Sequence, residues 1–99
     1  MPEPKSDASA LFGRRVQERR DHLGLSQETA AALSEMHVSN YGKIERGLAN
    51  PSLHTILKVA TALNIDAGEL LTGLDADMLP FREHTMTAAE WIAATKGRG

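Results

Sequence analysis

The chain has no cysteine, only four aromatic residues and a formal net charge of just −2 over its 99 residues. Without thiols, neither disulfides nor thiolate zinc sites can form. With so few aromatics, any core must be built from aliphatic side chains. No apolar run approaches the roughly 18 residues needed to cross a bilayer, so no membrane span is expected. The opening MPEPKSDASA lacks the apolar stretch of a signal peptide, which leads us to expect a cytoplasmic protein. The four histidines, His22, His37, His54 and His84, are scattered and none forms an HExxH pair, so no metal site is expected. Nor does the chain contain a glycine-rich phosphate loop, a nucleophile elbow or a paired acidic site. The sequence therefore offers no basis for enzyme activity, and no cofactor is expected.

What the chain does have is helical patterning. Its hydrophobic fraction of 41% suffices for one small domain with tails. The first helix is expected from about Ser9 to His22, turning Leu11, Phe12, Val16 and Leu23 inward, with Gly24 closing it. Ser26 reads as an N-cap for a short helix running to Leu33. A tight turn follows, then a helix from His37 or Val38 to Arg46 that Gly47 terminates. Met36, Tyr41 and Ile44 recur at the spacing of one buried face. Val38, Ser39, Asn40 and Lys43 fall on the opposite side and should look outward. Ser52 caps a fourth helix carrying Leu53, Ile56, Leu57, Ala60 and Leu63, and Asp66 with Glu69 resembles a capping box for a fifth. Five helices without a credible strand make an all-α domain.

A short helix presenting small polar residues and a lysine fits a DNA major groove. The near-neutral total charge argues against DNA unless charge is segregated along the chain. Arg14, Arg15, Arg19 and Arg20 crowd the first helix, and Lys43 and Arg46 sit on the third, whereas acids gather downstream. A local positive face can hold phosphates while an acidic far side limits non-specific binding.

Gly24-Leu25-Ser26-Gln27-Glu28, Ile44-Glu45-Arg46-Gly47 and Asn50-Pro51-Ser52-Leu53 resemble the helix-turn-helix domain of Cro and lambda-type repressors, the XRE family. The resemblance runs from about Phe12 to Leu71. It implies a five-helix, lambda-repressor-like domain over residues 9–74. Residues 1–8, which hold Pro2 and Pro4 among charges, are expected to be a disordered arm. The resemblance further implies that Val38, Ser39, Lys43 and Asn40 contact bases. Gln27, Arg46, Asn50 and His37 would contact phosphate, and Arg20 with Glu45 would form a buried structural ion pair. Three positions depart from the pattern. Glu35 occupies the turn position usually held by glycine, His37 replaces a serine or threonine cap, and Gly42 sits inside the recognition helix. Arg19 stands where leucine is common and reads as an exposed, solubilising residue.

Beyond Leu74 the resemblance ends. Residues 75–99 form a C-terminal extension in which Thr87-Ala88-Ala89-Glu90 opens one extra short helix to about Lys96. Ala88, Trp91, Ile92 and Thr95 share one face of it. The expected partners are double-stranded DNA, a second copy of the chain and, through the tail around Trp91, another protein. The expected function is a sequence-specific transcriptional regulator: a repressor acting as a homodimer on an inverted repeat. An antitoxin that autoregulates its operon and a restriction–modification controller are the alternatives.

Overall fold

Ser6 begins the first helix. Its hydroxyl accepts the Ser9 amide at 3.0 Å, which satisfies one of the free N–H groups of the opening turn. The computed structural model describes residues 2–80 and 86–96, and α1 spans Asp7–His22. It thus starts two residues earlier than expected, taking Asp7 and Ala8 out of the anticipated disordered arm. The segment before it is also tied down, since the Lys5 amide donates to the Gly47 carbonyl at 2.8 Å. The remaining helices are α2 (Gln27–Leu33), α3 (Val38–Glu45), α4 (Leu53–Ala62), α5 (Ala67–Leu71) and α6 (Ala88–Lys96). One 3₁₀ turn, Ala76–Met78, falls at the start of the C-terminal extension. Among the described residues there is no strand, so the all-α expectation holds. Phe81, Glu83 and His84 lie outside the described residues.

The expected caps form at Ser26 and Ser52, whose hydroxyls accept from the Thr29 and Thr55 amides. Asp66 caps α5 differently from a capping box, since its carboxylate takes the Gly68 amide rather than pairing with Glu69. Glu35 does adopt the left-handed conformation of the turn, with φ 56°, at a cost of about 1 kcal/mol that glycine would avoid. His37 sits at the N-cap of α3 and makes no side-chain cap bond.

The core is aliphatic with two aromatics. Phe12, Val16, Ala30, Ala31, Tyr41, Ile44, Val59, Ala60, Leu63 and Leu70 are buried together, with Met36, Leu25 and Ile56 packed against them. The expected faces are buried at Phe12, Val16, Ala30, Ala31, Ala60 and Leu63, but the buried stripes are narrower than expected. Leu23, Leu33, Leu53 and Leu57 are all exposed, whereas Val59, which was not anticipated, is fully buried. Short helices bury only a narrow stripe, so a leucine one position off that stripe stays in water.

Helices α1 and α3 cross in close contact, made possible by Gly13. A Cβ added there would lie 2.7 Å from the Glu45 carbonyl oxygen and also collide with that of Ile44. Backbone thus rests on backbone, fixing α3 against the long first helix.

Candidate nucleic-acid interface

Packing gives α3 two distinct sides. Tyr41, Ile44 and Glu45 face inward and are buried, whereas Val38, Ser39, Asn40 and Lys43 are exposed. The inner side is anchored by an ion pair. Arg20 Nε donates to Glu45 Oε2 at 2.6 Å, and Arg20 Nη2 donates to Oε1 at 3.0 Å. The two side chains are 12% and 2% exposed, so the pair is buried. A bidentate guanidinium–carboxylate contact fixes orientation as well as distance. Arg20 also donates to the Leu25 carbonyl at 2.8 Å, which ties the α1–α2 connection into the same network.

Burial opposes ionisation of Glu45, but hydrogen bonding from Arg20 and Gln27 outweighs it and holds the carboxyl below its ordinary range. On the other partner, the bond to Glu45 pushes the Arg20 guanidinium up. Burial, with Glu45 alongside, also raises the Tyr41 phenol. Its hydroxyl lies near the carboxylate without reaching hydrogen-bond geometry, so it remains an unsatisfied buried group.

Gln27 joins this network, its Nε2 donating to Glu45 Oε1 at 2.8 Å. One amide hydrogen is thereby committed and the second stays available to an anion. Arg46 and His37 are exposed. His37 and Asn40 line one open crevice with Ala32, Glu35 and Met36. Asn50 is exposed too, but it lines a separate crevice with Ser9, Phe12 and Ile56.

The arginines of α1 are used otherwise than expected. Arg19 donates to the Leu63 and Asn64 carbonyls at 2.9 and 2.8 Å, and Arg15 donates to the Leu70 carbonyl at 3.1 Å. Both satisfy orphan carbonyls where α4 and α5 end, positions at which a cation is favourable. Arg19 is therefore a structural cap rather than a free solubilising charge, and of the four arginines only Arg14 is exposed. Fewer cations are therefore free than the sequence implies: of the six on α1 and around α3, Arg14, Lys43 and Arg46 are exposed. The residues around Arg15 and Arg19 give no local sign that these side chains will reach carbonyls 55 and 44 residues further along, so sequence reasoning missed this use.

In α6 all residues are exposed, including Trp91 and Ile92. Its first turn closes as expected, with the Glu90 amide bonded to the Thr87 hydroxyl at 3.1 Å. Among the described residues there is no group of side chains suited to a metal ion and no helix long and apolar enough to cross a membrane.

A small helix held by its inner face across a tight turn from a second, its outer face polar and open, defines a helix-turn-helix DNA-binding protein. The chain belongs to the helix-turn-helix family HTH_3, the Cro and lambda-repressor-like group, which matches residues 16–70. It is 35% identical over 66 residues to the SPbeta prophage-derived uncharacterized HTH-type transcriptional regulator YonR of Bacillus subtilis (strain 168), covering 67% of this chain and 61% of that protein. Among solved structures, the restriction–modification controller protein C.AhdI from Aeromonas hydrophila matches with 52% identity and a TM-score of 0.61. The match covers 63% of this chain and 94% of C.AhdI. The master regulator for biofilm formation SinR, solved in complex with DNA, matches with 31% identity and a TM-score of 0.58, covering 61% of this chain and 97% of SinR. The chain is thus a DNA-binding transcription regulator, and its family is not one of enzymes.

Proposed function

We propose that the chain is a sequence-specific repressor that binds as a homodimer to an inverted-repeat operator. The observation that carries this reading is the two-sided α3: an ion pair locks one side while four short or cationic side chains stand free on the other. On that side Lys43 donates to guanine O6 and N7, Val38 meets a thymine methyl, and Ser39 and Asn40 complete the base contacts. Gln27, Arg46, Asn50 and His37 hold phosphates and set the register. Two copies related by a two-fold axis place their α3 helices in successive major grooves, about 34 Å apart. Selection of binding sites from a random duplex pool, followed by footprinting, tests this. The expected product is a palindrome with half-sites about one helical turn apart, protected on one face of the duplex. Recovery of no consensus would overturn sequence-specific binding, and a single unpaired half-site would overturn the dimer.

The likeness to C.AhdI favours a second reading, in which this regulator controls a restriction–modification system. Methyltransferase and nuclease genes beside its own, with the selected palindrome upstream of them, would support that role.

A further inference from the structure

Glycine inside a helix costs stability, because it gives up more backbone freedom than alanine. Gly42 occupies such a position in α3 and is buried. No core side chain covers it, however. A Cβ added there would meet, as its three nearest atoms, Arg46 Nη1 at 3.3 Å, Gln27 Oε1 at 3.6 Å and Arg46 Cζ at 3.9 Å. The guanidinium of Arg46 therefore folds back by one turn and lies in the space above Gly42, next to the first residue of α2. Gln27 is held there from behind by Glu45. Among the described residues the Arg46 side chain has no hydrogen bond or ion pair, its backbone N–H alone being bonded, to the Gly42 carbonyl. An unpaired guanidinium thus lies beside a fixed amide that keeps one uncommitted Nε2 hydrogen, which puts two donors of one anion within a single turn of α3.

We propose that Gly42 is a positioning residue for DNA binding: its missing side chain is the recess that seats Arg46 beside Gln27, so that the two grip one backbone phosphate together. This rests on the DNA reading of α3 given above. A methyl group at this position is no obstacle to folding, since its nearest contact would be the free end of a flexible side chain, which can swing into solvent. The fold gains from the better helix former, while the phosphate loses a correctly placed cation. Stability and DNA affinity therefore move in opposite directions, which a purely structural role for Gly42 does not produce.

The experiment uses the full chain as wild type, Gly42→Ala, Arg46→Ala and the double variant. Each is melted thermally and titrated with a random-sequence duplex across a range of salt concentrations, because phosphate contacts need no operator. Gly42→Ala is expected to melt higher than wild type and to bind severalfold more weakly. Its plot of log K against log salt should be shallower by about 0.9, the slope of one phosphate contact. Added to Arg46→Ala, it should cause no further loss of binding. A Gly42→Ala variant that binds like wild type, melts lower, or weakens binding equally in the Arg46→Ala background would overturn the proposal. If Arg46→Ala alone left binding and slope unchanged while wild type bound normally, the pairing of Arg46 with phosphate would be wrong. Absence of any salt-dependent binding by wild type would overturn the DNA reading itself, and this inference with it.

Discussion

Lys43 stands exposed on the outer side of α3 without an acidic partner among the described residues, and Gln27 is half-buried with one amide hydrogen bound to Glu45. These settings assign the two residues different work. Lys43→Ala should lower specific affinity by about 1–3 kcal/mol and relax preference at one base pair, whereas Gln27→Ala should weaken binding to all sequences alike. Titration against the selected operator and its single-base variants separates the two. Glu45 carries a stability prediction of the same scale. Its carboxyl is held below the ordinary value of 4.5 in the folded chain, so the unfolded chain takes up the proton first on acidification. Its contribution is fully present above about that value and is lost as pH falls through the lower folded pKa. Glu45→Gln should therefore be destabilised near neutral pH, by up to about 3–5 kcal/mol because Arg20 is left buried without its charge partner. The gap to wild type should narrow below pH 4.5, as urea melts at several pH values would show. Glu28→Gln, on the exposed side of α2, should differ from wild type by no more than about 0.5 kcal/mol.

The two helices that cross at Gly13 supply a contrast with Gly42. Both glycines lie inside helices, and alanine is favoured over either by about 1 kcal/mol on helix propensity. What surrounds them reverses the outcome. At Gly42 the nearest atoms belong to the end of Arg46, whereas at Gly13 they are the backbone carbonyls of α3. Gly13→Ala must lift α1 off α3 and should cost about 1–3 kcal/mol, or more if the Arg20–Glu45 bond is stretched as well. A thermal melt in which Gly13→Ala equals or exceeds wild type would refute the close crossing. Helix starts were legible in the sequence because caps are local: Ser26, Ser52 and Thr87 each needed only a neighbour three residues away. Arg15 and Arg19 were not legible, since their acceptors lie 55 and 44 residues further along the chain.

At the scale of the molecule, the extension divides into two parts. The stretch through Pro80 returns to the domain: Met78 is half-buried and borders Asp7, Ala10, Leu11 and Arg14. Helix α6 instead exposes Trp91 at 58% and Ile92 at 53%, and a nine-residue helix is too short to persist in water unsupported. We expect a chain ending at Pro80 to keep the melting temperature and DNA affinity for a half-site, but to lose self-association or capture of a protein partner. Sedimentation and DNA titration of the two chains side by side check this. An unfolded short chain would place α6 in the core, and identical assembly and capture would make it a passive extension.

Local chemistry was enough for the sequence to determine which segments become helices, where most of them begin, and that Val38, Ser39, Asn40 and Lys43 lie opposite Tyr41 and Ile44. Caps, turn glycines and a 3.6-residue period act over a few residues, so they can be read without knowing what packs where. Only the tertiary structure decided which leucines are buried and which cations are free, because both depend on neighbours brought from distant parts of the chain. It also decided what each internal glycine is for. Gly13 and Gly42 look alike in the sequence, and the difference between them is whether a rigid backbone or a mobile guanidinium fills the space beyond.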